Sequence, residues 1–247
     1  MTCIDPGWER RTISFMNVGM LVLAAGSGSR FGGDIPKQYV NVAGKPLLVH
    51  TLHALAQEPR IQVVQLVLSE GDNRFADAVA GEEFSFRLLS PVTGGPSRSI
   101  SMLNGMTALP ESVDMVAVHD AARPMPTPAL LADVLDMAER FGAAIPGIEV
   151  ADTIKRIDER GRVLETPDRR RLRAVQTPQV ARRDWFEEAL ALEAERLSSH
   201  TDDASLLEAA GFPVHISRGD AMNRKVTRPE DMDWLRTMLN RISEQHL

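Results

Sequence analysis

The 247-residue chain carries a formal net charge of −6 and a single cysteine, Cys3. The acidic balance excludes a global basic field that would attract nucleic acid or an anionic membrane surface, and one cysteine excludes a disulfide framework or a thiolate metal cluster. We therefore expect a protein of the reducing cytoplasm, in which cations that bind an anionic substrate form local clusters. No apolar run approaches the roughly 18 to 20 residues of a membrane span.

The length is sufficient for one large α/β domain, and we predict that residues 16–247 form it. The segment before it, residues 1–15, lacks the apolar centre of a secretion signal. Because Met16 directly precedes the first predicted strand, we interpret residues 1–15 as a loose N-terminal leader.

Short apolar runs alternate with segments of helical spacing, a pattern that predicts a doubly wound, mostly parallel sheet. The predicted strands are Val18 to Ala25, Ile61 to Ser69, Phe84 to Ser90, Asp114 to His119 and Ala143 to Val150. The predicted helices are Pro46 to Gln57, Pro128 to Phe141 with Thr127 as its cap, and Pro229 to Leu239.

The pattern changes between Ala151 and Arg173, where polar and basic residues dominate around a turn at Glu159 to Gly161. The segment contains too few apolar residues to build its own core, so we predict a protruding β-arm. Such an arm needs a partner surface for its few apolar side chains, which favours a homodimer.

The first predicted strand leads into a glycine-rich segment, LAAGSGSRFGGDIPKQ, from Leu23 to Gln38. Backbone N–H groups in such a loop attract phosphate oxygens, and Arg30 and Lys37 add charge suited to a nucleoside triphosphate. The spacing fits neither the dinucleotide fingerprint nor the P-loop, because Gly32 comes one position late and no Gly-Lys-Ser/Thr follows. The alternative is a flexible glycine loop with two solvated cations.

The fourth predicted strand ends in the sequence HDAARP, which places Asp120 where a parallel sheet presents its strand ends to ligands. One aspartate beside a phosphate loop is sufficient to hold Mg²⁺, because magnesium completes its shell with water and substrate phosphates. The alternative is that Asp120 caps a turn and pairs with Arg123. We assign no chemistry to His119, because a histidine at a strand end is more often packed and hydrogen-bonded.

Two further segments could contribute to a site. In GGPSRSIS, small residues such as Gly95 permit contact with a flat base, and Ser101 could supply a directional hydrogen bond, although the segment is also an ordinary helix start. In NRKVTRPED, Lys225 lies just before a predicted helix start. Read alone, this second segment is a solvated basic patch followed by a helix cap.

Five separated segments, LAAGSGSRFGGDIPKQ, HDAARP, ADTIKR, TPQ and NRKVTRPED, together resemble the signature segments of the 2-C-methyl-D-erythritol 4-phosphate cytidylyltransferases. The resemblance runs from about Val18 to Leu239. It implies a Rossmann-like nucleotidyltransferase fold, Mg²⁺ as cofactor, and a homodimer in which the arm completes the neighbouring site. The implied reaction joins the phosphate of the sugar alcohol to the α-phosphorus of CTP and releases pyrophosphate.

The resemblance also implies roles for single residues. Arg30, Lys37 and Lys225 are implied as the catalytic cations. Asp120 is implied near the metal and the substrate. The implied nucleotide-binding residues are Ala24, Ala25, Gly26, Gly28, Gly95 and Ser101, with Ser101 helping to select cytosine. The implied residues for the methylerythritol phosphate are Thr153, Arg169 and Thr177, the first two from the neighbouring subunit's arm.

The sequence departs from the family pattern at two positions, with Ser97 where an acid is usual and Met222 where a polar residue is common. Three alternatives remain open at this point. The acceptor could be ribitol 5-phosphate, the enzyme could be a sugar-1-phosphate nucleotidylyltransferase that uses another nucleotide, or the chain could be a nucleotide-binding regulatory module without catalysis.

Overall fold

The computed structural model describes residues 16–26, 31 and 35–245. The strands are β1 (Val18–Leu23), β2 (Asn41–Val42), β3 (Lys45–Pro46), β4 (Ile61–Leu68), β5 (Arg87–Leu88), β6 (Val92–Thr93), β7 (Met115–Asp120), β8 (Ala143–Glu149), β9 (Arg156–Ile157), β10 (Val163–Glu165), β11 (Arg173–Val175), β12 (Gln179–Arg182) and β13 (His215–Arg218). The α-helices are α1 (Leu47–Leu55), α2 (Phe75–Ala78), α3 (Arg98–Ala108), α4 (Pro128–Phe141), α5 (Arg183–Leu192), α6 (Asp203–Ala209) and α7 (Pro229–Gln245). Short 3₁₀ helices cover Lys37–Tyr39, Arg169–Arg171 and Ala194–Ser199.

A mostly parallel sheet forms the centre of the fold, with the order β11-β8-β12-β7-β1-β4-β5 and with β13 and β6 beside β8 and β4. Strand β1 pairs in parallel with β4 on one side and with β7 on the other. The chain therefore reverses its winding direction at β1, and this switch point is where such sheets bind ligands at their carboxyl ends. Strands β11 and β12 are the exceptions: β12 runs antiparallel between β7 and β8, and β11 runs antiparallel to β8 at the edge of the sheet.

The side chains of β1 alternate between the two faces of the sheet, as the two-residue period of a strand requires. Met20 and Val22 join a core cluster with α1 and α4, whereas Leu21 joins a second cluster with α3, α5 and α6. Both faces are covered, which explains why the parallel strands read as continuous apolar runs in the sequence. A smaller cluster packs α7 against β2 and α1.

The predicted doubly wound sheet is confirmed, and most of the predicted elements lie within one or two residues of their observed bounds. Helix α4 has the predicted ends, and the Thr127 hydroxyl caps it by accepting a hydrogen bond from the Leu130 N–H at 3.3 Å. Gly142 ends the same helix at a φ of +91°, and a Cβ there would lie 2.2 Å from the Trp185 ring. Only glycine fits this turn.

One predicted strand is largely wrong. Only Arg87–Leu88 of the segment from Phe84 to Ser90 pairs with β4, at the edge of the sheet. Its apolar character comes instead from packing, because the rings of Phe84 and Phe86 stack with centroids 5.1 Å apart. Helix α7 is also longer than predicted and continues to Gln245.

The segment predicted as an arm forms a separate antiparallel hairpin of β9 and β10, and every residue of these two strands is exposed. Its turn contains Gly161 at a φ of +80°. Residues 1–15, which we predicted as a leader, lie outside the described residues. Among the helices of residues 16–245, none is both long enough and apolar enough to cross a membrane.

Candidate active site

A cleft of about 430 Å³ opens at the switch point between the ends of β1 and β7. Its walls come from the start of the glycine-rich segment, the turn before α3, the end of β7 and the loop before α7. The lining residues that we predicted are Ala24, Ala25, Gly26, Lys37, Gly95, Ser101, Asp120 and Lys225. Segments from four parts of the sequence therefore meet in one place.

Asp120 is the only carboxylate among the described residues that line the cleft. Its Oδ2 lies 2.8 Å from Lys225 Nζ and 3.6 Å from Arg123 Nε, and its Oδ1 lies 3.5 Å from Arg98. Burial alone would raise the pKa of Asp120, but the three neighbouring cations outweigh it and hold this pKa well below the usual range. Asp120 is therefore ionised at neutral pH.

Asp120 takes part in the predicted turn with Arg123 and also lines the cleft. The Arg123 N–H donates to the Asp120 carbonyl at 3.0 Å, so the predicted turn exists and its two residues form an ion pair. The carboxylate nevertheless faces the cleft, where Lys225 approaches it more closely. Lys225 is thus part of the site and not a solvated basic patch.

Lys37 follows the glycine-rich segment and also lines the cleft. Its Nζ donates a hydrogen bond of 3.2 Å to the carbonyl of Val226, which is the residue after Lys225. The two lysines therefore approach the same volume from opposite ends of the chain. Arg30 and Gly28, which we predicted as a catalytic cation and a nucleotide-binding glycine, lie outside the described residues.

The base-binding prediction for Ser101 has a clear geometric setting. Its Oγ accepts from the Gly95 N–H at 3.0 Å and donates to the Ser97 carbonyl at 2.9 Å, which folds the glycine turn onto α3. A Cβ at Gly95 would lie 2.2 Å from Ile100, so the turn can close only with glycine. Ser97 caps α3 through the Ile100 N–H at 3.3 Å, and its lack of an acidic group leaves this geometry intact.

The structure places the three predicted acceptor-binding residues differently from one another. Thr177 is buried behind Asp120, where its hydroxyl accepts from the Asp120 N–H at 3.1 Å and contacts His119 Nδ1 at 3.1 Å. Thr153 and Arg169 lie exposed on the arm segment and outside the lining of the cleft. Within one chain, the cleft and the arm residues remain separate.

Sequence reasoning missed Arg98, which lines the cleft and donates through NH1 to Asp203 Oδ1. The pair joins the first residue of α3 to the first residue of α6, 105 positions apart. Arg98 lay inside a segment that we considered, but no local pattern pointed to Asp203. The carboxylate that holds Arg98 could be found only in three dimensions.

Histidine 119 has the structural role that we expected. It is fully buried, and its Nε2 contacts the Arg123 carbonyl at 3.0 Å while Nδ1 contacts Thr177. Burial lowers the pKa of His119 to about 4, so its ring is neutral near pH 7. It holds the strand end in place and carries no charge into the site.

The donor set fits a metal that is bound mainly by a ligand. No group of three or more metal-binding side chains occurs within residues 16–26, 31 and 35–245. One ionised carboxylate can still serve a magnesium ion whose other ligands are phosphates and water. Asp120 is the residue that would hold it.

A larger cavity of about 680 Å³ lies at the root of the arm, lined by Arg170, Arg171, Arg173 and Arg218 together with Glu149. It lies away from the switch point and lacks the glycine turn and the lysines. The smaller cleft is therefore the candidate active site, since strand ends, backbone donors and cations converge there.

The parallel sheet, the open cleft at its switch point and the converging cations define a nucleotide-binding α/β protein of the nucleotidyltransferase type. The family model for 2-C-methyl-D-erythritol 4-phosphate cytidylyltransferase, IspD, matches residues 18–241. The chain belongs to this family, as the sequence resemblance had indicated.

Curated relatives agree with this assignment. The chain is 37% identical over 227 residues to the 2-C-methyl-D-erythritol 4-phosphate cytidylyltransferase of Desulforamulus reducens, covering 91% of this chain and 97% of that protein. It is 42% identical over 213 residues to the bifunctional enzyme IspD/IspF of Nitrobacter winogradskyi, covering 85% of this chain. The chain spans about half of this bifunctional relative, 53% of its length.

Solved structures share the fold. The 4-diphosphocytidyl-2C-methyl-D-erythritol synthase of Anaerococcus prevotii superposes with a TM-score of 0.80 at 25% identity, covering 92% of this chain and 99% of that one. The 2-C-methyl-D-erythritol 4-phosphate cytidylyltransferase of Thermus thermophilus has a TM-score of 0.73 at 30% identity, covering 90% and 98%.

Proposed function

We propose that the protein transfers the cytidylyl group of CTP to 2-C-methyl-D-erythritol 4-phosphate, in the non-mevalonate synthesis of isoprenoid precursors. The observation that carries the proposal is the meeting of Lys37, Lys225, Asp120 and the Gly95–Ser101 turn in one cleft. Family membership over residues 18–241 supports the reaction type.

In the proposed reaction, a phosphate oxygen of the sugar alcohol forms a bond to the α-phosphorus of CTP, and the bond from that phosphorus to the β-phosphate bridging oxygen breaks. Pyrophosphate leaves with the bonding electron pair. A phosphate monoester has a second pKa of about 6, so the attacking oxygen is already ionised at neutral pH and needs no general base. His119 is not placed to act as one, because its two ring nitrogens contact the Arg123 carbonyl and the Thr177 hydroxyl.

The work of the site is to bring anions together and to stabilise the charge of the transition state. Lys37 and Lys225 would contact the reacting phosphates from two sides, and Arg30 would add a third cation from the glycine-rich segment. The Ser101 turn would hold the base, so that the α-phosphorus lies between the lysines. A Mg²⁺ ion bound with the nucleotide supplies further charge neutralisation, and Asp120 is the side chain that would hold it.

We also propose that two copies of the chain form the working enzyme. The arm segment exposes Ile154, Ile157, Val163 and Leu164, and β11 exposes Val175, an apolar set that a second copy would cover. Thr153 and Arg169 would then reach the neighbouring cleft and bind the sugar alcohol phosphate. We further propose that residues 16–247 are one cytidylyltransferase domain located in the cytoplasm, which the single cysteine supports.

The test is pyrophosphate release by the purified protein with CTP and Mg²⁺, comparing methylerythritol 4-phosphate with ribitol 5-phosphate. We expect turnover of the first and little of the second. Selective turnover of ribitol 5-phosphate would retain the cytidylyl chemistry and reject the proposed acceptor. Preference for UTP or GTP would reject the nucleotide, and binding of CTP without pyrophosphate release would favour a regulatory module.

A further inference from the structure

The loop that carries Lys225 runs from Gly219 to Val226, between β13 and α7; we refer to it as the Lys225 loop. A buried glutamine holds its first half. Gln176 Nε2 donates to the carbonyls of Asp220 at 2.7 Å and Asn223 at 3.3 Å, while its Oε1 accepts from the Asp220 N–H at 3.0 Å. Three of the four hydrogen bonds that an amide side chain can form thus go to this loop.

Asn223 holds the loop two residues before Lys225. Its side chain is fully buried, and Nδ2 donates to the Thr177 carbonyl at 2.7 Å. Its own carbonyl accepts from Arg123 NH1 at 2.8 Å. On the other side of Lys225, the Val226 N–H donates to the Ala122 carbonyl at 2.8 Å. Lys225 therefore lies between two anchored residues.

The same loop also receives the other lysine, because Lys37 Nζ donates to the Val226 carbonyl. The position of the Lys225 loop thus affects both lysines of the cleft. Gly219 lets the loop lie close to Gly147 and Gln176. A Cβ at this position would lie 2.8 Å from the Gly147 backbone and 3.0 Å from Gln176 Oε1. The hydrogen bond from Gln176 to the Asn223 carbonyl is buried and the two with Asp220 are partly buried, so water has limited access to replace them.

We propose that Gln176 and Asn223 are positioning residues for cytidylyl transfer, which act through the backbone of the Lys225 loop to set the place of Lys225 opposite Asp120. Neither side chain lines the cleft. Gln176 directly follows β11, so it also joins the loop to the strand at the root of the arm. The inference rests on the proposed function for its kinetic part, whereas the placement of Lys225 can be measured without turnover.

The decisive variant is Gln176→Met, which keeps the approximate volume and removes all three hydrogen bonds without adding charge. Gln65→Met is the matched control. Gln65 is 1% exposed, against 5% for Gln176, and its Nε2 donates to the carbonyls of Leu66 and Ser90, both at 2.9 Å. It lies in β4 and outside the lining of the cleft.

The first measurement is the rate at which an amine-reactive reagent modifies Lys225 in the folded protein without substrate, followed by mass spectrometry. Lys45, whose side chain is 42% exposed and lies outside both the arm and the cleft lining, serves as the internal reference. In Gln176→Met the ratio of Lys225 to Lys45 modification should rise several-fold, because the ion pair with Asp120 is released. In Gln65→Met the ratio should stay unchanged, even if its melting temperature falls as much as that of Gln176→Met.

The second measurement is steady-state kinetics. We expect kcat of Gln176→Met to fall at least about tenfold while the KM for CTP changes less than about threefold, since Lys225 acts mainly on the transition state. An unchanged modification ratio, or equal changes in both variants, would overturn the inference. A wild-type protein without turnover would reject the proposed function alone, because the modification ratio still tests the placement. If Gln176→Met does not fold, Gln176→Glu retains the acceptor for Asp220 and takes its place, with Gln65→Glu as control.

Discussion

Lys225, Arg98 and Arg123 surround the single carboxylate of Asp120, although the whole chain carries a net charge of −6. Asp203 balances Arg98 from behind, and Lys37 adds another positive charge at the cleft. The local excess of positive charge is the electrostatic requirement for binding a triphosphate and a phosphate monoester together. A negative net charge is therefore compatible with a strongly anionic substrate.

His119 gives a prediction on acid stability. Its pKa is lowered to about 4 in the folded protein and returns to about 6.5 on unfolding, so between these values the unfolded chain binds more protons. The free energy of unfolding should therefore fall as the pH decreases from 6.5 to 4, by up to about 3 kcal/mol from this residue. Above pH 6.5 its contribution should be constant.

Urea unfolding of the wild type and of His119→Gln between pH 4 and pH 8 measures this contribution. His119→Gln should be less stable at pH 7 because hydrogen bonds are lost, but its stability should depend less on pH below 6.5. Gln65→Met, which removes a buried hydrogen-bonded side chain without a titratable group, is the control and should keep the wild-type slope. A wild-type slope in His119→Gln would contradict the assignment.

At the scale of elements, the arm is the clearest case in which composition predicts structure. A segment dominated by charged residues folds as a hairpin of two short strands, with Ile157 opposite Val163. Both side chains remain more than half exposed. Isolated hairpins of this kind are marginally stable, so a partner surface is the physical reason to retain them.

The arm prediction is that Ile157→Ser combined with Val163→Ser shifts the protein from dimer to monomer and lowers turnover. The reason is that removing apolar area from an interface weakens association by roughly 25 cal/mol per Å² of buried surface lost. Analytical ultracentrifugation over a concentration series measures the shift.

Leu192→Ser is the matched control, because Leu192 is 60% exposed but lies at the end of α5, away from the arm. It should leave the dissociation constant unchanged. A wild type that sediments as a monomer while turning over at full rate would reject the proposed role of the arm.

At the scale of the whole molecule, the cleft of one chain lacks the two arm residues assigned to the acceptor. Thr153 and Arg169 do not line it, and the only described carboxylate there is Asp120. The second copy that we propose would supply both arm residues. Activity would then be a property of the assembly, which can be tested by mixing inactive variants.

We predict complementation between Lys37→Ala and Arg169→Ala. Each variant alone should lose roughly two to three orders of magnitude in turnover, as is typical for removal of a preorganised charged group. In a mixed dimer, one site combines intact Lys37 with intact Arg169 from the other chain. After random subunit exchange of equal amounts, activity should return to about a quarter of the wild-type value.

Pyrophosphate release after exchange measures the recovery, and native mass spectrometry verifies that mixed dimers have formed. A mixture of Lys37→Ala with Lys225→Ala is the control. Both substituted lysines line the cleft of their own chain. If the other chain contributes only arm residues, each cleft of a mixed dimer still lacks one of the two lysines. Without recovery in verified mixed dimers, Arg169 would have to act within its own chain.

The sequence by itself determined the mostly parallel sheet, both ends of α4, the exposed polar segment that contains the β9–β10 hairpin and eight lining residues of the cleft. A strand that is buried on both faces appears in the sequence as a continuous apolar run. A helix cap or a glycine turn depends on residues only a few positions away, so it too leaves a local pattern. Gly26, Asp120 and Lys225 could be located because each follows or precedes a recognisable element.

Only the tertiary structure decided the pairs that join distant segments. Arg98 with Asp203, Gln176 with the Lys225 loop and Thr177 with His119 are separated by 105, 44 and 58 positions in their hydrogen bonds, and no local periodicity records such contacts. Tertiary structure also decided that β12 inserts antiparallel and that most of the segment from Phe84 to Ser90 stays unpaired. Both depend on which strand lies next to the segment in the folded sheet. Local sequence encodes which side of a helix or strand is buried. Which residues pack against that side depends on how the whole chain folds.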